Sequence, residues 1–249
     1  MSRPRKAPTR YDRIGRSYVA TRAEDPRIAA AIHAALGDAR TVLNVGAGAG
    51  AYEPHDRDVT AVEPSAVMRA QRPPDAALCI DARAEALPFA DGAFDAAMAV
   101  LSDHHWSDRL AGLRELRRVA PRAVVFQWDP TFADEFWLVR DHLRRFPPVE
   151  GASFAGVRQT LGASREIVVP IPHDCRDGFL MAYWRRPEAY LDPVIRANIS
   201  VFALLPPAEV DAMVESLRAD LESGAWARRN AEQLDRDALD LGYRIFVAE

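Results

Sequence analysis

Lysine is almost missing from this 249-residue chain. Lys6 is the only one, and the other 31 basic residues are arginine. A P-loop lysine and a buried Schiff-base lysine are therefore excluded. Cysteine is equally scarce. Cys79 and Cys175 are too few and too far apart for a metal cluster or a disulfide framework, so a reducing compartment and no metal are expected. No stretch approaches eighteen consecutive apolar residues, and the basic segment Met1 to Arg10 has no apolar run behind it. Neither a membrane span nor a secretory signal is expected, and the reading is a cytoplasmic protein with no membrane partner. Basic excess is lacking too: 32 Lys and Arg face 36 Asp and Glu, a net charge of -4, which argues against a nucleic-acid partner.

What the chain does have is the composition of a globular domain, 49% hydrophobic and 27% charged. Asp25-Pro26 followed by Ile28, Ile32, Leu36 and Gly37 predicts a capped amphipathic helix. Buried-strand runs follow at Thr41 to Val45, Val59 to Glu63, Ala77 to Asp81, Phe94 to Val100 and Ala123 to Trp128. Between the last two, Ser107, Leu110, Leu113, Leu116 and Val119 mark a helix. Continuous apolar strands alternating with helices predict a parallel sheet covered on both faces.

After Trp128, helices are predicted around Phe136, Val139 and Leu143 and over Val210 to Leu221. Strands are predicted at Glu166 to Ile171 and Tyr243 to Val247. His173 to Leu205 is rich in aromatics, Arg and Pro without a clean period, and reads as a substrate-side cap. The expectation is one domain over 1–249. It has an N-terminal lid and helix at 1–39, a cofactor-binding core at 40–130 and a C-terminal part at 131–249, with the cap at about 173–206.

Asn44-Val45-Gly46-Ala47-Gly48-Ala49-Gly50 follows the first strand directly, where an open parallel sheet admits a ligand. Glu63 ends the next strand, placed to accept ribose hydroxyls, and Pro64-Ser65 begins a turn. Together they suggest a nucleoside-containing cofactor. Gly46, Gly48 and Ala51 also satisfy the dinucleotide pattern G-x-G-x-x-G/A, with Glu63 standing 17 residues after Gly46, so spacing alone leaves both cofactor classes open.

The downstream residues resemble the class I S-adenosylmethionine-dependent methyltransferases. Asn44 to Gly50 is similar to their first motif, and Val59 to Glu63 to the strand bearing the ribose-binding acid. Arg83-Ala84-Glu85-Ala86-Leu87-Pro88-Phe89-Ala90-Asp91-Gly92-Ala93-Phe94-Asp95 looks like their D-A-x-x-L-P-F-x-D-x-x-F-D stretch. Leu113 to Val119 matches the helix ending E-x-x-R-V. The departures are Arg83 for the usual Asp, Asn44 for the usual acid, and Ala120-Pro121-Arg122 for a Pro-Gly-Gly turn. They put the adenine contacts in question, with Asp81 as a substitute carboxylate, more than the fold.

The resemblance implies a doubly wound, Rossmann-like, mostly parallel α/β sheet of seven strands with helices on both faces. It also implies S-adenosylmethionine as cofactor, held by Gly46, Ala47, Gly48, Glu63, Pro64, Met68, Arg83, Ala84, Glu85 and Leu101. From the N-terminal segment, Tyr11, Tyr18 and Arg22 are expected to close over it, with Tyr18 or Arg22 near the methionine carboxylate. The function expected is methyl transfer by in-line displacement to a small-molecule acceptor whose reacting atom, O, N or C, stays open. A cofactor-binding protein without turnover and a nicotinamide-dependent oxidoreductase are the competing readings.

Ser102-Asp103-His104-His105-Trp106 follows the fourth strand and opens into the expected crevice. His105, or else His104, with support from Asp103, is the candidate general base, against the alternative that these residues only cap and pack. Trp106, Trp128, Phe136, Trp137, His173 and Tyr183 are candidates for an apolar acceptor pocket, though aromatic residues also fill cores. His173-Asp174-Cys175 are consecutive and cannot all face one metal. Oligomeric state is not legible.

Overall fold

The computed structural model describes residues 23–143, 146 and 154–249. Tyr11, Tyr18 and Arg22 lie outside the described residues. The first part of the chain runs α1 (Pro26–Ala35), β1 (Thr41–Val45), β2 (Asp58–Val62), α2 (Ala66–Arg69), β3 (Leu78–Ile80), β4 (Ala96–Val100), α3 (Arg109–Val119) and β5 (Arg122–Trp128). It continues through α4 (Trp137–His142), α5 (Phe154–Leu161), β6 (Arg165–Val168), β7 (Ile171–Pro172), α6 (Pro193–Ala197), α7 (Pro207–Glu222), α8 (Ala225–Arg229), α9 (Ala231–Leu234), β8 (Ala238–Leu239) and β9 (Tyr243–Ala248).

Seven strands form one sheet in the order β3-β2-β1-β4-β5-β9-β6, while β7 and β8 pair separately. The first five strands are parallel, and β9 runs antiparallel to both β5 and β6. A strand at the chain's end can enter beside β5 without a crossover helix only by running antiparallel. The continuous apolar runs of β1, β4 and β5 follow from cover on both faces. Leu43, Val45, Ala97, Ala99, Ala123 and Val125 pack under α3 and α5. Val42, Ala96, Met98, Val124 and Phe126 face α1 and the C-terminal helices. Burying Leu113 and Leu116 on α3 stabilises that layer by about 1.5–3 kcal/mol each.

Local chemistry sets the boundaries. Asp25 caps α1 by accepting from Arg27 N at 3.0 Å, with Pro26 preset at the first helical position. The α3 cap is Asp108, which accepts from Ala111 N at 2.9 Å, one residue later than the Ser107 start expected from sequence. The strand expected over Glu166 to Ile171 is divided into β6 and β7, because Pro170 between them has no N–H to donate to a ladder.

The crossover from β1 to β2 departs from the usual βαβ unit. Residues 46–57 hold only turns, without the helix that would normally return the chain. Tyr52 sits there with φ at +67° and is buried. Its N–H donates to Glu24 at 2.9 Å, its carbonyl lies 3.1 Å from His33 Nε2, and its hydroxyl donates to Asp177 at 2.8 Å. Three polar groups thus hold a conformation that is costly for a residue with a Cβ. They also join the turn after β1 to the segment after β7. Beneath it, Arg72 pairs with Glu53 at 2.8 Å, and Glu53 accepts from Asn44 Nδ2 at 3.0 Å.

Candidate active site

The loop leaving β1 is held against β2 by its own backbone. Gly46 N and Ala47 N both donate to Val62 O, at 2.8 and 3.0 Å. Gly46 has φ at +72°, and a Cβ there would come within 2.7 Å of Ser102 Cβ, so only glycine lets the loop press against the end of β4. Ser102 Oγ donates to Val45 O at 2.9 Å and fastens the β4 loop to β1. Met68 packs beneath Gly48, its Cε near where a Cβ would point.

Glu63 follows β2 and is buried. One carboxylate oxygen accepts from Gly48 N at 2.9 Å and the other from Ser65 N at 2.8 Å. An ionised carboxylate at the end of β2 is an acceptor of the kind that ribose hydroxyls require. Pro64 and Ser65 lead into α2, where Ser65 Oγ caps Met68 N at 3.3 Å. These residues fit a nucleoside cofactor. The absent crossover helix removes the dipole and free N–H groups on which a dinucleotide pyrophosphate would rest, so the nicotinamide reading loses its phosphate site.

The stretch 81–87 lies between β3 and β4. Glu85 accepts from Ser107 Oγ at 2.8 Å and Asp108 N at 3.1 Å, which ties it to the start of α3. Burial alone would raise its carboxyl, and these bonds outweigh it, so the group titrates below the ordinary range. Arg83 bridges to Ala86, Ala84 is buried, and Asp81 is exposed with Arg69 3.4 Å away.

β4 ends at a strained residue. Leu101 has φ at +48° and donates its N–H to Phe126 O at 2.8 Å, turning the chain at the sheet's carboxyl edge. The turn sends Asp103 inward, where it is 0% exposed. Arg109 Nε and Nη2 both bond to Asp103 Oδ2, at 2.8 and 2.6 Å, and Nη2 also donates to Gln127 Oε1. Burial would raise the Asp103 carboxyl; the proximity of His104 and the charge of Arg109 outweigh it and hold the group below the ordinary carboxylate range. His104 Nδ1 lies 3.8 Å from Asp103 Oδ1, and its ring centroid is 3.8 Å from that of His105. His105 N caps Ser102 O at 3.0 Å. Asp103, His104 and His105 are thus together at the edge of β4, with Asp103 aimed at His104.

The aromatic candidates disperse. Trp106 lies against Gly112 and Ala84, with its indole nitrogen near Gly46, so it borders the glycine loop and not the cap. A Cβ on Gly112 would fall within 2.7 Å of Trp106 Cζ3. Gly112→Ala should therefore cost about 1–3 kcal/mol, read by thermal unfolding; unchanged stability would mean the ring has room to move. Phe136 and Trp137 are spent on the core, where Trp137 Nε1 donates to Trp184 O at 2.8 Å and its ring meets Tyr190 and Trp226. Trp128 donates to Leu241 O at 2.9 Å and neighbours Phe146 and Tyr243 at the end of β5. Phe179 of the cap reaches Tyr243 at 4.6 Å. Tyr183 is buried beneath the Arg186 guanidinium, and His173 is tied to Asp237 O away from β4. Burial pushes the Cys175 thiol up to about 12, which disqualifies it as a nucleophile at neutral pH. Among the described residues, no group of three or more His, Cys, Asp or Glu could hold a metal ion.

The methyltransferase-domain family matches residues 43–125, the segment that carries this geometry. A crystal structure from Anabaena variabilis ATCC 29413, described as a methyltransferase from an antibiotic biosynthesis pathway, is 32% identical. The match covers 92% of this chain and 99% of that one, with a TM-score of 0.80. The chain belongs to the methyltransferases. It is of class I, and S-adenosylmethionine is its methyl donor.

Two more distant structures share the methyltransferase fold. The [4+2]-cyclase SpnF is 17% identical, covering 97% of this chain and 96% of that one at a TM-score of 0.54. Geranyl diphosphate C-methyltransferase from Streptomyces coelicolor A3(2), solved with S-adenosyl-L-homocysteine, is 16% identical, covering 90% and 78% at 0.50. No curated protein matches the chain. Sequence reasoning did not single out Arg109 and Gln127, which the structure joins to Asp103. Gln127 did leave a signal, as the one polar residue inside the apolar run of β5.

Proposed function

We propose that this methyltransferase acts in the cytoplasm on a small-molecule acceptor, held in the crevice beyond β4 and β5, with His104 as general base. The observation that carries this reading is the buried Asp103 carboxylate, fixed by Arg109 with its other oxygen 3.8 Å from His104 Nδ1. A carboxylate charge 3.8 Å from Nδ1 favours the tautomer with Nδ1 protonated, which leaves Nε2 to take a proton. The side chain of His104 is 26% exposed, so Nε2 can meet an acceptor. His105, whose backbone caps the same turn, is the neighbour that packs against it.

When bound, S-adenosylmethionine supplies a methyl group on a sulfonium sulfur, a good neutral leaving group. The glycine loop at Gly46, Ala47 and Gly48 would cradle it, with Glu63 on the ribose hydroxyls and Met68 and Leu101 as apolar walls. The chain's remaining task is to align the acceptor atom and receive its proton, because positioning alone supplies several kcal/mol in a displacement of this kind.

Replacing Glu63 by alanine should weaken donor binding by about 1.5–3 kcal/mol, since the ribose bonds are charge-assisted. Calorimetry showing unchanged affinity would remove Glu63 from the cofactor site. The acceptor class is tested by incubating the enzyme with methyl-labelled donor and a metabolite extract. Label should enter the small-molecule fraction; label confined to protein or nucleic acid would overturn the reading.

A further inference from the structure

Tyr52 stands just after the glycine turns of the donor loop and shares their left-handed backbone, with φ at +67° beside +72°, +53° and +97° at Gly46, Gly48 and Gly50. Glycine adopts that region freely, whereas a residue with a Cβ is held there by its surroundings. Part of that hold comes from far along the chain. The Tyr52 hydroxyl donates at 2.8 Å to Asp177, which follows it by 125 residues, and both residues are 1% exposed. The other Asp177 oxygen accepts from Gly178 N at 2.7 Å, and the next residue, Phe179, sets its ring 4.6 Å from that of Tyr243. Tyr243 pairs with Trp128 at the end of β5, the edge beyond which the acceptor is proposed to lie. On the other side, Gly48 of the same loop donates to Glu63, the carboxylate assigned to the donor ribose. Tyr52 therefore stands between the donor loop and the acceptor edge. The segment after β7 has further ties, Arg176 N to Asp25 at 3.1 Å and Arg27 to Asp174 at 2.8 Å, and these run to the start of α1.

We infer that Tyr52 is a positioning residue that couples the two halves of the site: its hydroxyl transmits the donor-bound shape of the glycine loop to Asp177, and so fixes the segment that carries Phe179. A residue with a Cβ has few alternatives at positive φ, so a shift of the loop turns the ring as a unit. The hydroxyl must then carry Asp177 with it or lose its bond at a site closed to solvent. Such coupling is reciprocal: a ligand that favours one arrangement of the loop favours one arrangement of the segment. The acceptor side is thereby completed once the donor is in place. The inference rests on the donor and acceptor sites proposed above, and it is read without an acceptor so that each can fail separately.

The test is hydrogen exchange, read by mass spectrometry on the full-length protein with and without saturating S-adenosylhomocysteine. In the wild type, exchange should slow over 44–51, and over 174–180 as well, by about five- to tenfold. Tyr52→Phe removes the hydroxyl and keeps the ring. Calorimetry should still show the ligand bound and 44–51 should still be protected, while the ligand-dependent slowing over 174–180 should vanish. A bond that only fastened the fold would behave differently, raising exchange over 174–180 by the same factor with and without ligand. Arg27→Ala, which frees the segment from α1, should show that second pattern. Asp177→Ala cuts the same link from the far side, and if thermal unfolding shows that Tyr52→Phe is not folded, it gives the reading. His104→Ala should keep the exchange response while losing methyl transfer, which separates this inference from the choice of base. Slowing confined to 44–51 in the wild type, or an undiminished response over 174–180 in a folded Tyr52 or Asp177 variant, would overturn the inference alone. Absence of protection over 44–51 would overturn the donor site and the inference with it.

Discussion

Replacing His104 by alanine should lower the rate of methyl transfer about 10²–10⁴-fold while leaving donor affinity unchanged. The effect is large because an acceptor that keeps its proton must carry positive charge after the methyl group arrives, and a nearby base removes that cost. Donor affinity should hold because the cofactor residues, Gly46 to Gly48 and Glu63, are built on β1 and β2, whereas His104 stands after β4. His105→Ala is the control. Its ring packs against that of His104, the ring the Asp103 carboxylate faces, so its loss should cost far less. Near-wild-type turnover in His104→Ala would leave the enzyme working by alignment alone, and a larger loss in His105→Ala would exchange the roles.

Asp103→Ala should destabilise the folded protein by about 3–5 kcal/mol, because it strips a buried guanidinium of its partner. Arg109 would keep only Gln127 Oε1, and water cannot replace the carboxylate at a site closed to solvent. For a domain of this size each kcal/mol moves the unfolding midpoint by about 2–4 °C, so calorimetric or optical melting resolves the effect. The same pair makes stability depend on pH. The Asp103 carboxyl lies lower in the folded chain than in the unfolded one, so its contribution is complete above the ordinary carboxylate range and is lost as acid reaches the folded value. A double variant, Asp103→Ala with Arg109→Ala, should recover part of the loss. A melting point unmoved by Asp103→Ala would mean the ion pair contributes nothing to stability.

Much of the fold was legible because its signals are short-range. The β1 run Thr41 to Val45 needs no partner to declare itself a buried strand, and Asp25-Pro26 announces the start of α1 by its own chemistry. The glycine loop and Glu63 were legible from their own residues at the ends of two strand runs, and the parallel pairing of β1 with β2 brings them together. The candidate base was only half legible. Sequence placed the histidine pair after β4 and put His105 first; the proposal of His104 instead rests on the Asp103 carboxylate, whose position depends on Arg109 from the next helix.

The sequence by itself determined the alternating strand and helix runs and the cofactor loop, set by local periodicity and turn chemistry, and the motifs carried the methyltransferase resemblance that implied the seven-stranded sheet. Tertiary structure alone decided what depends on residues far apart in the chain. It drew Tyr52 to Asp177 across 125 residues, sent Glu85 to the start of α3, buried Phe136 and Trp137, and joined Gln127 to Asp103 through Arg109. The physical reason is that a polar or aromatic side chain carries no mark of its partner. Which buried atom is satisfied, and by what, is fixed only when packing has closed the surrounding space.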